Sequence, residues 1–147
     1  MSKSFKFQQY LEKYKNCPKD CTEKDMIAYR WVHQPLIDQD FQPILLHTDP
    51  PLRLLDDHDQ LCTGYALSLY MDLDRAKSLY IDRYNKQDRE KKRISYRVRL
   101  GTHTAELTIK KDDGVSDTPK NNGHFNFFEY KNCNLSEKVS EIIDNFT

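Results

Sequence analysis

Residues 26–32 read Met-Ile-Ala-Tyr-Arg-Trp-Val, an apolar run that a single cation, Arg30, interrupts. β-Branched and aromatic side chains dominate this run, and its short length is typical of a strand rather than a helix. Segments 64–70 and 124–130 have the same character. The first reads Gly-Tyr-Ala-Leu-Ser-Leu-Tyr and the second reads His-Phe-Asn-Phe-Phe-Glu-Tyr. We therefore predict three strands at these positions.

Each predicted strand carries one polar side chain that stands out among apolar neighbours: Arg30, Ser68 and Glu129. Burying a cation, a hydroxyl or a carboxylate without a partner is costly. Either the three side chains solvate one another in a shared cleft, or each is satisfied separately. In the second case Arg30 pairs with Glu129 and Ser68 bonds to backbone. Only the first case predicts a functional site.

Three other segments have the apolar spacing of amphipathic helices. Residues 4–16 place apolar side chains at i, i+3, i+4 and i+7. Residues 72–84 begin at Asp72, a good N-cap, and present leucine, alanine and tyrosine along one face. A C-terminal helix is predicted from Ser136. Its apolar face consists of Leu135, Val139, Ile142, Ile143 and Phe146.

The remaining elements complete an α+β pattern. Residues 94–100 alternate apolar and polar side chains, as do residues 105–109 after a Gly-Thr turn, which predicts two half-buried strands. Residues 33–63 contain four prolines and form a long loop, in which only 41–47 has the pattern of a short strand. We predict one α+β domain over residues 1–147. Its sheet is mostly antiparallel and is flanked by an N-terminal, a middle and a C-terminal helix.

Composition excludes several classes of function. Lys and Arg number 23 and Asp and Glu number 23, so no net field recruits nucleic acid or a membrane surface. Four glycines form no glycine-rich loop, which argues against Rossmann and P-loop nucleotide binding. No stretch approaches the roughly 18 apolar residues of a membrane span, and the first residues lack a signal-peptide pattern. We expect a cytoplasmic protein without a membrane partner.

Cysteines and histidines offer further candidate sites. In the cytoplasm the cysteines are expected to be reduced thiols; they are Cys17, Cys21, Cys62 and Cys133. A four-thiolate zinc site is the alternative, but only one closely spaced pair is present. Residues 56–59 read Asp-Asp-His-Asp, for which we favour an exposed loop or the start of a helical turn, so no metal site is predicted. His103 and His124 could supply an acid–base pair for RNA cleavage.

The order of the three strands resembles the ADP-ribosyltransferase superfamily over residues 26–130. In that superfamily a strand ending in serine or threonine passes into a helix beside the nicotinamide pocket. Leu-Ser-Leu at 67–69 stands where the family has Ser-Thr-Ser. Phe-Phe-Glu at 127–129 stands where it has Glu-x-Glu or Gln-x-Glu. The resemblance implies an ADP-ribosyltransferase-like domain and a bacterial-style transferase that uses NAD as substrate.

The resemblance also implies residue roles. Arg30 would bind the NAD phosphates and ribose, and Ser68 would position the nicotinamide ribose. Glu129 would stabilise the positive charge that develops on the ribose when the nicotinamide–ribose bond breaks. Candidates to stack on nicotinamide are Tyr29, Tyr65 and Tyr70. The ADP-ribose would pass to an unknown macromolecular acceptor.

A basic stretch supports a hypothesis of a different class. Residues 86–99 carry seven Lys or Arg side chains against two acidic ones. The cations that would form a binding stripe are Lys91, Lys92, Arg93, Arg97 and Arg99. The alternative hypothesis is therefore a non-enzymatic binding module that uses this stripe for nucleic acid or for an acidic protein partner.

Overall fold

The protein is built on a six-stranded sheet. The structure is a computed structural model that describes residues 3–14, 16–47 and 58–147. For residues 58–60 it describes the backbone only. The strands are β1 (Met26–Val32), β2 (Leu67–Tyr70), β3 (His103–Ile109), β4 (Gly114–Ser116), β5 (His124–Glu129) and β6 (Val139–Asp144). The α-helices are α1 (Gln8–Leu11), α2 (His58–Thr63), α3 (Leu73–Asn85) and α4 (Glu90–Leu100). The strand order is β4-β5-β2-β1-β3-β6, and every neighbouring pair is antiparallel. The predicted α+β class with an antiparallel sheet is confirmed.

One face of the sheet, called the core face here, carries the main hydrophobic core. Successive side chains of a strand point to opposite faces, so residues two apart along each strand share this core. Its buried strand residues are Ala28, Leu67, Leu69, Leu107, Ile109, Phe125 and Phe127. Leu135, from a 3-10 turn at Leu135–Lys138, and Phe41 cover this face.

The opposite face, called the helix face, is covered by α3 along its middle. Asp72 caps α3 as predicted, because its side chain accepts a hydrogen bond from the Arg75 N–H at 2.8 Å. Trp31 of β1 donates its indole N–H to the Ala76 carbonyl at 2.9 Å. Its ring also meets Tyr80 edge-on, with centroids 5.4 Å apart. These contacts fix α3 against the central strands.

A second apolar cluster covers the helix face near β4 and β5. Its buried members are Leu11, Cys62, Ala66, Val115 and Phe128. A disulfide between Cys17 and Cys62 joins the segment after α1 to α2. The expectation of four reduced thiols is therefore wrong for this pair, while Cys21 and Cys133 are free. Cysteines distant in sequence pair here because the fold brings them together, which spacing alone cannot show.

The strand predicted over 94–100 is wrong, since these residues belong to α4. Helical spacing turns Tyr96 inward, where its hydroxyl donates to a carbonyl of α3 at 2.8 Å. Ile94 and Val98 stay 46% and 70% exposed, so the apolar alternation does not mark a buried face. Lysine, arginine and glutamate are good helix formers, and the stretch is rich in them.

The predicted C-terminal helix is also wrong. After the 3-10 turn the chain continues as β6, in which Ile142 lies opposite Ala105 of β3. Val139, Ile142 and Ile143 are β-branched, and such side chains fit a pleated sheet better than a helix. The predicted cap is replaced by Asn134, whose side chain accepts a hydrogen bond at the start of the 3-10 turn.

Smaller corrections concern the N-terminal half. The strand predicted over 41–47 is wrong, because the chain there forms two 3-10 turns at Asp38–Phe41 and Ile44–Leu46. The N-terminal helix spans only Gln8–Leu11, and β2 begins three residues later than predicted. Of the segment predicted as an exposed loop or the start of a helical turn, residues 56 and 57 lie outside the described residues, whereas 58 and 59 begin α2, in agreement with the helical alternative. Among the described residues no helix is long and apolar enough to cross a bilayer.

Candidate functional site

The three polar strand residues do not share one cleft. Alternation along β2 turns Leu67 and Leu69 to the core face, so Ser68 points to the helix face and is exposed there. Arg30 shares the core face with Ala28 of β1. Glu129 shares it with Phe127 of β5, so the hydroxyl and the two charged groups lie on opposite sides of the sheet.

Arg30 has a structural environment. Its Nε donates to the Asp40 carbonyl at 2.5 Å, and one terminal nitrogen donates to the Ser68 carbonyl at 2.9 Å. Burial lowers the pKa of the guanidinium to about 10, against the opposing charges of Asp40 and Glu129. Arg30 therefore ties the 3-10 turn at Asp38–Phe41 to β2, and it meets Ser68 only through the backbone.

Glu129 lies in a closed, buried ion pair. Its side chain is 2% exposed, and its Oε2 accepts from Lys6 Nζ at 2.8 Å and from the Leu135 N–H at 3.3 Å. Its Oε1 has no hydrogen-bond partner among the described residues. The N-terminal segment thus docks on the end of β5, where the Lys6 N–H also donates to the Glu129 carbonyl at 3.0 Å.

Strand register separates Arg30 from Glu129 further. Tyr29 pairs with Tyr70 and Leu69 pairs with Phe125, so Arg30 lies level with Phe125 across the sheet. Glu129 is four residues along β5 from that level, about 13 Å at the usual rise of a strand. Arg30 and Glu129 therefore form no ion pair with each other. Both alternatives drawn from the sequence had required these two side chains to approach.

The three tyrosines proposed to stack on nicotinamide have partners within the fold. Tyr29 donates its hydroxyl to Glu106 at 3.1 Å. Tyr65 stacks on Tyr10, with centroids 5.0 Å apart and ring planes 8° from parallel. Tyr70 is 3% exposed and stacks on Trp31. The buried Tyr70 ring offers no free face, whereas the other two rings are only partly covered.

Ser68 does meet another of the predicted site residues. His124 of β5 places Nε2 3.0 Å from Ser68 Oγ, on the helix face. Burial lowers the pKa of His124 to about 4, and Lys120, Arg83 and Arg30 act in the same direction against Asp117. The imidazole is therefore neutral at neutral pH. Both residues are candidates in the sequence, but they are not predicted as a pair. Neither segment alone shows the register of β2 against β5.

The other histidines do not form the pair that RNA cleavage needs. His103 lies on β3, with β1 and β2 between it and the strand of His124. Its Nδ1 lies 2.9 Å from Thr102 Oγ1. The two-histidine mechanism therefore has no shared site among the residues described.

A histidine clamp joins the loop after β1 to the end of α4. His33 Nδ1 lies 2.6 Å from Asp40 Oδ1, and its Nε2 lies 2.7 Å from the Val98 carbonyl. Burial alone would lower the pKa of His33, but the bonds to Asp40 and Val98 and the Asp40 charge together raise it. Both ring nitrogens then donate, so the charged imidazolium is the form that fits. The sequence does not predict this clamp, because His33 and Val98 are distant along the chain.

The basic stripe lies on α4, and its cations divide into two groups. Arg93 and Arg97 turn toward α3, where both guanidinium groups lie over the Tyr84 ring. Arg97 also donates to the Tyr84 hydroxyl at 2.7 Å. Lys92 pairs with Asp88 at 3.1 Å. These three cations therefore already have partners within the protein.

The outward side of α4 is different in character. We call it the α4 outer face; it comprises Lys91, Ile94, Ser95, Val98 and Arg99. All five are exposed, and neither of the two cations has an ion-pair partner among the described residues. A helix face that exposes two aliphatic side chains between unpaired cations has no evident role in the fold's own packing.

Comparison with family models, with curated proteins and with solved structures finds no match to this chain. Among the described residues no three potential metal ligands cluster.

Proposed function

We propose that this protein is a binding module that recognises an acidic protein partner through the α4 outer face. The observation that carries the proposal is the exposure of Ile94 and Val98, 46% and 70%, beside Lys91 and Arg99. Aliphatic groups surrounded by cations suit a partner that brings apolar side chains and carboxylates together.

The apolar part of this face favours protein over nucleic acid. Phosphate contacts use cations and hydrogen-bond donors, and they gain little from aliphatic side chains. Ile94 and Val98 lie four residues apart, one turn of helix, so they form a continuous stripe. Burying such a stripe against a partner contributes through apolar area, while the cations select the sign of the partner's charge.

The face is also rigidly presented. Tyr96, on the inward side of α4, is 3% exposed and packs against Tyr80 with centroids 4.9 Å apart. The histidine clamp fixes the last turn of α4 through the Val98 carbonyl. A helix held in this way loses little conformational freedom on binding, which favours affinity.

The NAD-cleaving transferase stays a prediction. Its three key side chains lack a shared cleft, because Ser68 faces away from Arg30 and Glu129, and the carboxylate is engaged by Lys6. Incubation with labelled NAD and measurement of nicotinamide release tests it directly. The geometry supports the binding module better.

The binding proposal is tested by titrating nitrogen-15-labelled protein with a synthetic amphipathic peptide of leucine and glutamate. We expect amide shifts concentrated on α4, and we expect Val98→Asp and Lys91→Glu to reduce them strongly. Lys131→Glu is the matched control, since it makes the same charge change in the turn after β5. Shifts that spread elsewhere, or that survive Val98→Asp, would contradict the proposal. Binding of duplex DNA in place of the peptide would assign the face to nucleic acid and overturn it.

A further inference from the structure

Ser68 is exposed at a place in the sheet where its neighbours are covered. β2 is an interior strand, with β5 on one side and β1 on the other. Ala66, two residues before, is 5% exposed within the second apolar cluster, and Tyr70, two residues after, is 3% exposed. The layers on the helix face therefore leave an opening above Ser68. A hydroxyl at its base is accessible to a small molecule.

The side chain that Ser68 meets is held in position. His124 belongs to β5, and its ring packs edge-on against Tyr70 with centroids 5.6 Å apart. Its backbone N–H donates to the Asn122 side chain at 3.0 Å. Across from Ser68 lies Asn126, whose side chain is fixed by donation to Asp117 at 2.8 Å. The 3.0 Å contact between Ser68 Oγ and His124 Nε2 thus joins two ordered strands.

We propose that Ser68 and His124 form a nucleophile and general-base pair that hydrolyses small carboxylic esters. Serine needs an adjacent base within hydrogen-bond reach to act as a nucleophile, and this geometry supplies one. The proposal goes beyond partner binding and does not depend on α4. It assigns a chemical role to two residues that the binding module leaves unused.

The reaction balances with water as the only co-reactant. Ser68 Oγ bonds to the ester carbonyl carbon while its proton passes to His124 Nε2. The tetrahedral species collapses, the bond to the alcohol oxygen breaks, and the departing alkoxide takes the proton from Nε2. Water then attacks the acyl-serine, giving its proton to Nε2. The Oγ–carbon bond breaks, Oγ recovers the proton, and a carboxylic acid leaves.

The surroundings narrow the substrate class. Nδ1 of His124 has no hydrogen-bonded carboxylate among the described residues, so no third group strengthens the base. Such a pair suits esters with good leaving groups rather than amides. The positive charges of Lys120, Arg83 and Arg30 act on this site more than the single negative charge of Asp117 does. This positive field favours the oxyanion of the tetrahedral species but opposes the imidazolium that forms with it, which again limits the pair to esters with good leaving groups.

The test uses the wild-type protein and a fluorophosphonate probe, which reacts only with activated serines. We expect one covalent adduct, located by peptide mapping at Ser68, and no adduct on protein unfolded in urea. An unlabelled wild-type protein, or label at another serine, overturns the proposal. This readout does not depend on any variant being folded.

Variants then test whether His124 acts as the base or whether Ser68 reacts only because it is exposed. Ser68→Ala should abolish the adduct, and His124→Gln should slow its formation about 100-fold, the usual contribution of a general base. Ser78→Ala is the control, because Ser78 is an exposed serine on α3 outside this site. A His124→Gln protein that is folded by circular dichroism and labels at the wild-type rate would show that His124 is not the base.

Discussion

Lys6→Met should destabilise the fold strongly, because it leaves Glu129 buried without its counter-ion. The Glu129 side chain is 2% exposed and that of Lys6 is 28% exposed. One carboxylate oxygen already lacks a hydrogen-bond partner among the described residues. Removing one partner of a buried pair typically costs about 3–5 kcal/mol. Because water reaches Lys6 in part, we expect a loss of about 3 kcal/mol, at the lower end of that range.

Glu129→Gln should cost less, about 1–2 kcal/mol, because the Lys6 ammonium can turn toward water and the amide can still accept a hydrogen bond. The double variant should lose less than the sum of the single losses, since the two groups interact directly. Urea unfolding, monitored by far-UV circular dichroism, gives these losses in the free energy of unfolding, provided that the slope m is the same for all variants. A Lys6→Met protein that unfolds at the wild-type urea midpoint, or losses that simply add, would contradict a stabilising buried ion pair between Lys6 and Glu129.

Three further predictions concern histidines and the disulfide. The raised pKa of His33 means that its clamp to Asp40 stabilises fully below the ordinary value near 6.5 and is lost as pH rises through the folded pKa. Urea midpoints of wild type and His33→Gln should therefore differ more at roughly pH 5.5 than at roughly pH 8.5, and an equal difference would contradict the clamp. The pKa of His124, lowered to about 4 by burial, predicts the opposite trend: stability falls from about pH 6.5 toward pH 4. His124→Gln should flatten that fall, and a profile unchanged from wild type would count against the burial. Cys17 and Cys62 are 45 residues apart, so replacing both with serine should cost up to about 4 kcal/mol by loop entropy, read from the urea midpoint. Thiol titration of the unfolded, unreduced protein should find two reactive cysteines, and four would show that the bond does not form.

The parts of the fold that the sequence predicts are those in which one local signal dominates. β1 has an apolar run broken only by Arg30, and α3 has both helical spacing and Asp72 at its cap, so both appear close to their predicted bounds. In 94–100 two signals conflict, and helix propensity outweighs alternation. In 139–144 apolar residues at helical spacing are β-branched, and pairing with β3 decides in favour of a strand.

The candidate site is harder to predict because it depends on contacts between distant segments. β2 places Leu67 and Leu69 on the core face and the buried Tyr70 on the helix face, so its apolar pattern does not show which way Ser68 points. Lys6 lies far from Glu129 in sequence and shares no motif with it. The pairing of Ser68 with His124 depends on strand register, which the residues of neither strand specify alone.

The most direct test of the binding module is the affinity of the leucine–glutamate peptide for wild type, Val98→Asp and the Lys131→Glu control, measured by titration calorimetry. Burying Val98, which is 70% exposed in the free protein, contributes about 1–2 kcal/mol, so Val98→Asp should weaken binding at least about tenfold. The control should bind as wild type does, and raising salt from roughly 50 mM to roughly 500 mM should weaken binding by both. Equal affinities of Val98→Asp and wild type would contradict the assignment of α4 as the binding surface.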